Sequence, residues 1–385
     1  MVLIAYRNTQ EPHGTLENNQ VLGDPWCEEN RATIKSIGVL TSGGDCAGLN
    51  AAIRAVTDHA IGSKRWAVTG IKNGHLGLLE MPRKVVPLTL EMMRGDLLRA
   101  GGTMLGTTTK GDPFAFPDAI GSVRDRSQDV IGALKKSGID ALVVIGGDGS
   151  MRLFHRLLVD TGIPWVGIPK TIDNDVPGTE YAVGFVTSVD VVGQSLDRLA
   201  STAASHRRIM VLETMGRDSG FLALYGGIAG GADAILIPEI PYDIDHVADH
   251  LKRFSKDQSK AVMVVVAEGV ERPKGDRRTG GSVGGAVAHF LQEKTGLEAR
   301  CTVLGYLQRG GSPANFDRLL ASTFGVHAVE LLAQGQSDRL VAWRGGQVSD
   351  VAIADIISGP RFVAVDGEMV KTARALGIYV GDKAG

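Results

Sequence analysis

The stretch Gly38–Asp45, with the sequence GVLTSGGD, runs from apolar residues through two glycines to an aspartate. A pattern typical of a helix follows it at Asn50–Val56. Short apolar runs of this kind recur along the chain, and helix-like stretches separate many of them. The runs lie at Ser36–Thr41, Ala67–Ile71, Ala141–Ile145, Trp165–Ile168, Ile209–Leu212, Ala234–Ile237, Ala261–Ala267 and Cys301–Leu304. Strands that alternate with helices predict an α/β fold with parallel sheets covered on both faces.

The predicted strands are more than a single sheet usually holds, so we predict two α/β domains with a cleft between them. Helices are predicted at Leu49–His59, Val123–Lys136 and Val186–Thr202. Sheets of this type bind ligands at the carboxyl ends of their strands, where the glycine-rich and acidic clusters of this chain fall. Residues 1–34 lack a clear periodicity and are predicted to form an extension outside the core fold.

The composition excludes several classes of protein. The chain has 385 residues and a net charge of −2, so no positive field favours nucleic acid or a membrane surface. The longest apolar runs are too short to span a bilayer. We expect no secretory signal, and the widely separated Cys27, Cys46 and Cys301 fit a reducing cytosol. These features predict a cytoplasmic protein.

Two glycine-rich loops are candidate phosphate sites. At Gly43 and Gly44 a strand, a small-residue turn and a helix start follow one another, and backbone N–H groups at a helix start favour anions. In Gly146–Ser150, GGDGS, the glycines let a phosphate chain lie against the backbone. Asp148 is the kind of oxygen ligand that Mg²⁺ shares with substrate phosphates. The alternatives are a tight turn without a ligand and a helix N-cap at Asp148 or Ser150.

A third cluster, Lys170–Asp175, places Asp173 and Asp175 two residues apart beside a lysine and a threonine. Phosphoryl transfer to an alcohol needs a carboxylate to accept the hydroxyl proton and positive charge around the moving group. The alternative is an ordinary turn rich in aspartate and asparagine. Several arginines also lie near strand ends or glycine turns, where they favour a sugar-phosphate site although each alone is typical of a surface cation. They are Arg207, Arg208, Arg217, Arg300 and Arg309.

Taken in order, these motifs resemble those of the 6-phosphofructokinase family. The matching pieces are Gly38–Asp45, Gly146–Ser150, Lys170–Asp175, Ser205–Arg208, Met215–Arg217, Glu268 and Leu304–Ser312. The resemblance covers about residues 36–360 and implies two Rossmann-like domains. The implied donor domain comprises residues 36–185 and 309–361, and the implied fructose 6-phosphate domain comprises residues 186–308 and 362–385. The resemblance also implies Mg²⁺, ATP, a homodimer or homotetramer, and transfer of a phosphoryl group to the 1-hydroxyl of fructose 6-phosphate.

The resemblance assigns a role to each motif residue. It implies that Asp173 is the base and that Thr171 and Arg217 flank the transferred group. It implies donor binding by Gly44, Lys110, Gly147, Asp148, Gly149 and Ser150, with Asp148 as the Mg²⁺ ligand and Asp175 as its support. It implies sugar-phosphate binding by Thr171, Ile172, Asp173, Arg208, Met215, Gly216, Arg217, Glu268, Arg300, Tyr306 and Arg309. Among these, Arg208 and Arg300 resemble residues that reach the neighbouring subunit's sugar site.

Two departures from the family pattern concern the phosphoryl donor. Lys170 is typical of the pyrophosphate-dependent branch and of a mixed branch, whereas Gly149 leaves room for the α-phosphate of a nucleotide. We expect ATP because steric and charge exclusion by an aspartate at position 149 would be the stronger effect. A pyrophosphate-dependent reversible phosphotransferase is the alternative, and a catalytically silent regulatory subunit is a third. A further departure is Thr107–Lys110, where Lys110 takes the place of the expected arginine.

Overall fold

The computed structural model describes residues 34–117, 122–255, 261–276 and 280–381. The predicted N-terminal extension, apart from Ile34, lies outside the described residues. The strands are β1 Ser36–Thr41, β2 Ala67–Ile71, β3 Val85–Leu88, β4 Phe116–Pro117, β5 Val123–Arg124, β6 Ala141–Gly146, β7 Trp165–Pro169, β8 Ile209–Thr214, β9 Ala234–Leu236, β10 Val262–Ala267, β11 Ala299–Val303, β12 Arg339–Arg344 and β13 Gln347–Ala352.

Helices connect most of these strands. The α-helices are α1 Leu49–Gly62, α2 Leu76–Leu79, α3 Ser127–Lys136, α4 Asp148–Leu158, α5 Phe185–His206, α6 Phe221–Ala229, α7 Ile244–Ser255, α8 Val283–Thr295, α9 Asn315–Ala333 and α10 Glu368–Ala375. Short 3-10 helices lie at Gly95–Arg99, Pro113–Ala115, Gly305–Arg309 and Ile353–Asp355.

The larger sheet has seven strands in the order β13-β12-β7-β6-β1-β2-β3. Its central strands are parallel, and in the pairing of β1 with β6 Val39 lies opposite Val143. Every residue of β6 is buried, as expected for an apolar strand covered on both faces. The second sheet, in the order β11-β8-β10-β9, is parallel throughout. The predicted α/β fold is therefore confirmed.

The larger sheet differs from the prediction at its edges. Strand β3 pairs with β2, and β13 with β12, in the antiparallel direction, so this sheet is mixed rather than parallel. Strand β3 contains Pro87, which lacks a backbone donor and suits an edge position. The helix predicted at Val123–Lys136 begins only at Ser127, whose N–H donates to Asp125 at 2.8 Å.

All described residues belong to one compact unit, Ile34–Gly385. Within it, α1 packs against α9, where Gly325 admits the close approach of Ala55. The domain boundaries at residues 185, 308 and 361 stay a prediction. Among the described residues, none of the helices has both the length and the apolar character needed to cross a membrane.

Candidate active site

The loops that follow β1, β6 and β7 meet because these strands are neighbours in the larger sheet. The Ser42 hydroxyl accepts a hydrogen bond of 2.9 Å from the Ser150 hydroxyl, which joins the first two loops. The Lys170 ammonium group donates a hydrogen bond of 2.5 Å to the Gly44 carbonyl, which joins the first loop to the third. Together the loops line a cavity of about 460 Å³.

One wall of this cavity is the N-terminus of helix α4. The helix begins at Asp148, so the backbone N–H groups of its first turn are free of partners within the helix. A β-carbon at Gly149 would meet no described atom within 4 Å, so this wall is open. At Gly44, by contrast, a β-carbon would lie 2.7 Å from Nη1 of Arg309. Glycine at position 44 therefore lets Arg309 reach the cavity.

The acidic wall is formed by the loop after β7. Asp173 is only 4% exposed, and within the described ranges its Oδ1 atom has no hydrogen-bond partner. Burial and the negative charge of Asp175 raise the pKa of Asp173 to about 6. Burial and the charge of Asp148 also raise the pKa of Asp175. The Thr171 hydroxyl accepts a hydrogen bond of 3.1 Å from the Asp173 N–H and fixes the turn.

Arg217 enters the cavity from the second sheet. It follows β8 with φ near 51°, a left-handed conformation that is uncommon for a residue other than glycine. Its N–H donates to Oε1 of Glu268 at 2.9 Å, and Glu268 follows the neighbouring strand β10. The preceding Gly216 has φ near 141°. Glu268 thus holds the backbone that directs Arg217.

Many of the predicted site residues line this one cavity. They are Gly44, Lys110, Gly147, Asp148, Gly149, Ser150, Lys170, Thr171, Asp173, Arg217 and Arg309. The remaining predicted residues do not line it. They are Ile172, Arg208, Met215, Gly216, Glu268, Arg300 and Tyr306.

The residues outside the cavity fall into distinct surroundings. The side chain of Ile172 is fully buried in the hydrophobic core, so only its backbone is placed to meet a ligand. Arg208 donates to Glu298 at 2.5 Å, and Arg300 pairs with the same carboxylate. Tyr306 is 82% exposed. In a single chain these two arginines and this tyrosine do not complete the cavity.

The structure adds cavity residues that the sequence reasoning missed. Arg152 and Arg156 lie on α4, four and eight residues after Asp148, and Arg152 donates to Asp148 at 2.7 Å. Their helical spacing from Asp148 could have identified these two arginines from the sequence. His75 also lines the cavity, with its Nε2 atom 2.5 Å from the Gly111 carbonyl, and burial lowers its pKa. No local pattern distinguishes His75.

The donor set of the cavity fits Mg²⁺ held together with a bound phosphate. Asp148 is near enough to Asp175 to raise the pKa of that carboxyl group, so a divalent cation would relieve their repulsion. Among the described residues, no group of three or more acidic, histidine or cysteine side chains could hold a metal without help. Mg²⁺ commonly takes one or two carboxylates and completes its shell with water and substrate phosphates.

Comparison with known proteins agrees with this geometry. Residues 36–332 match the phosphofructokinase family. The ATP-dependent 6-phosphofructokinase 1 of Synechocystis sp. is 51% identical over 359 residues, which cover 91% of this chain and 99% of that protein. The T-state structure of Pichia pastoris phosphofructokinase has a TM-score of 0.73 and 31% identity over 90% of this chain, which spans only 37% of that longer chain.

A pyrophosphate-dependent phosphofructokinase from Nitrosospira multiformis has a TM-score of 0.76 at 23% identity, covering 91% of this chain and 94% of that one. At this identity the likeness shows a shared fold only. The match of residues 36–332 spans more than half of the chain, and the Synechocystis relative extends the similarity over nine-tenths of it. The chain therefore belongs to the phosphofructokinase family.

Proposed function

We propose that this chain transfers the γ-phosphoryl group of ATP to the 1-hydroxyl of fructose 6-phosphate. The observation that carries the proposal is the buried Asp173 carboxylate, whose pKa is raised to about 6, in the same cavity as the open N-terminus of α4. The Synechocystis relative carries the name of an ATP-dependent 6-phosphofructokinase and supports this activity.

Asp173 is the proposed base. A carboxylate with a pKa near 6 is mostly ionised at neutral pH, yet it is more basic than an ordinary aspartate. Its Oδ1 atom, which has no hydrogen-bond partner among the described residues, is free to accept the proton of the sugar hydroxyl. As that proton leaves, the hydroxyl oxygen forms a bond to the γ-phosphorus, and the bond from phosphorus to the leaving oxygen of ADP breaks.

Positive charge around the transferred group comes from three cavity residues, Arg217, Arg309 and Lys170. The guanidinium groups suit two phosphate oxygens at once, whereas the ammonium group acts as a point charge. Thr171 supplies a hydroxyl beside them. Mg²⁺, which we propose to be held by Asp148 with support from Asp175, would neutralise phosphate charge in the transition state.

The open wall at Gly149 supports ATP as the donor. A nucleotide has an α-phosphate beyond the two phosphates of pyrophosphate, and a chain that continues past Gly149 needs the space found there. The first turn of α4 supplies N–H groups to that chain. Gly44, Gly147, Ser150 and Lys110 are proposed to complete the donor site.

The sugar phosphate is proposed to bind on the side of Arg217, Glu268 and the backbone of Met215 and Gly216. Arg208, Arg300 and Tyr306 lie outside the cavity of one chain, which supports a site completed by a second copy in a homodimer or homotetramer. We also propose that the protein is cytoplasmic and that it is divided into a donor domain and a sugar domain.

The test is an assay of fructose 1,6-bisphosphate formation with ATP or pyrophosphate at matched Mg²⁺. We expect turnover with ATP and little with pyrophosphate. Asp173→Ala should lower kcat by about 10²–10⁴-fold with an unchanged circular dichroism spectrum. Turnover with pyrophosphate alone would overturn the donor assignment, and normal turnover in Asp173→Ala would overturn the base assignment.

A further inference from the structure

Three successive backbone carbonyls of the loop that carries Asp173 accept hydrogen bonds from residues outside the loop. The Asp173 carbonyl accepts a hydrogen bond of 3.2 Å from the Ser219 hydroxyl. The Asn174 carbonyl accepts one of 2.7 Å from the Arg361 guanidinium group. The Asp175 carbonyl accepts one of 2.6 Å from the Arg361 N–H. Two of these three bonds come from a single residue that lies 187 positions after Asn174.

Arg361 also ties the two ends of the following turn together. Its guanidinium group donates to the Glu180 carbonyl at 3.3 Å as well as to Asn174. The Asn174 side chain spans the same turn, donating to the Glu180 carbonyl and accepting from the Ala182 N–H, each at 3.0 Å. Asn174 has φ near 54°, a left-handed conformation that a non-glycine residue adopts only when its surroundings favour it. Arg361 is one of the groups that stabilise this conformation.

The guanidinium group is itself fixed in place. Its central carbon lies 4.7 Å from the ring centroid of Phe221, at the start of α6. Two residues further on, the Val363 N–H donates to Oε1 of Glu239 at 2.9 Å. The same carboxylate oxygen accepts a hydrogen bond of 2.9 Å from the Gly220 N–H. The segment that carries Arg361 is therefore anchored beside Ser219, which holds the first carbonyl of the loop.

The guanidinium charge of Arg361 interacts with the carboxylate of Asp175, but it is not among the charges that shift the pKa of Asp173, so Arg361 acts on Asp173 through the geometry of the loop. After burial, the pKa of Asp173 is shifted by the charges of Asp175, Arg309, Arg217 and Glu268. The bonds from Arg361 go to carbonyl oxygens and leave the carboxylates free to face the cavity. Its planar fork suits two carbonyls at once, which a lysine ammonium group at the end of a flexible chain does not reproduce.

We propose that Arg361 is a positioning residue that holds the Thr171–Asp175 loop so that Asp173 is aligned with the acceptor hydroxyl. The inference rests on the proposed phosphoryl transfer. Misplacement of a catalytic group by about 1 Å is enough to reduce a rate roughly 100-fold. The role predicts a loss of kcat with little change in the binding of either substrate.

The test uses Arg361→Met, which keeps an unbranched apolar chain over Phe221 but removes the guanidinium group. The matched control is Arg344→Met, because Arg344 also donates to a backbone carbonyl, that of Gly178, at 2.8 Å but outside the loop. For each protein we would measure kcat, both KM values and the pH dependence of kcat/KM. Calorimetric titration with ATP would count the competent binding sites, so that kcat is expressed per site.

We expect Arg361→Met to lower kcat per site about 10- to 100-fold. Both KM values should stay within about threefold, and the acidic limb of the profile should not move. The kcat per site and both KM values of Arg344→Met should match those of the unaltered protein. The kcat per site of Arg361→Lys should lie between those of Arg361→Met and the unaltered protein. Arg361→Lys becomes the deciding variant if Arg361→Met does not fold.

A kcat per site that is normal in Arg361→Met, or in Arg361→Lys when that variant decides, would overturn the inference. A raised KM with an unchanged kcat would do the same, since it would mean that Arg361 supports substrate binding. An unaltered protein without ATP-dependent turnover would instead overturn the proposed function.

Discussion

The ammonium group of Lys170 lies 2.5 Å from the carbonyl oxygen of Gly44, inside the wall of the cavity. Lys170 is only 3% exposed, and burial lowers its pKa, so the folded chain disfavours its positive charge. A β-carbon at the neighbouring Gly43 would lie 3.2 Å from the same nitrogen. A buried cation that the fold does not favour, in a cavity suited to phosphate, supports the proposal that Lys170 binds the donor phosphate.

Lys170→Met should therefore separate ligand binding from stability. We expect the variant to resist denaturant at least as well as the unaltered chain, because a buried charge is removed. The KM for ATP should rise about tenfold through loss of a charged hydrogen-bond donor. The control is Lys72→Met, since Lys72 donates to the Met104 carbonyl at 2.7 Å but does not line the cavity. Lower stability with an unchanged KM in Lys170→Met would show that Lys170 only joins the two loops through its bond to Gly44 and does not bind the donor.

Gly149→Asp should abolish the use of ATP without unfolding the protein. The β-carbon has open space, and an acidic residue in the first turn of α4 favours the helix. The added carboxylate would repel the donor phosphates, at a cost of several kcal/mol. Gly149→Asn is the matched control, because it adds similar volume without charge. Equal losses in both variants would mean that volume, and not charge, excludes the nucleotide.

Asp173→Asn should stabilise the protein at neutral pH. The pKa of Asp173 is raised from 3.8 to about 6 in the folded state, so the ionised form is disfavoured there. Above pH 6 both folded and unfolded states are ionised at this position, and the amide should add about 1–3 kcal/mol to the free energy of unfolding. The gain should shrink as the pH falls from about 6 toward 3.8, as urea unfolding at a series of pH values would measure. A gain independent of pH would contradict this origin.

The pKa of Asp173 should set the pH at which kcat/KM falls on the acidic side of its profile. Below pH 6 the base becomes protonated, so kcat/KM should fall about tenfold for each pH unit. In Asp175→Asn the residual activity should show this limb at a lower pH, because a negative charge that raises the pKa of Asp173 is gone. Asp112→Asn removes a carboxylate from the same cavity and should leave the limb in place. An unmoved limb in Asp175→Asn would assign the titration to another group.

The parallel centre of the fold was predictable because buried parallel strands are continuous apolar runs between helical stretches. The antiparallel edge strands were not predicted, because they lack such continuous apolar runs. Strand β13, Gln347–Ala352, mixes polar and apolar residues and is only partly buried, so it has no comparable signal. Strand β3 has only four residues and includes a proline.

The sequence alone was enough to predict which loops meet at one cavity. In parallel sheets the residues that follow neighbouring strands meet at one edge, so Gly44, Asp148 and Asp173 could be assigned to one site from their positions after apolar runs. The tertiary structure alone decided which distant groups hold that site together. The bond from Lys170 to Gly44 and the contact of Arg361 with Asn174 join positions 126 and 187 residues apart. Such contacts depend on how whole elements pack, and no local pattern encodes them.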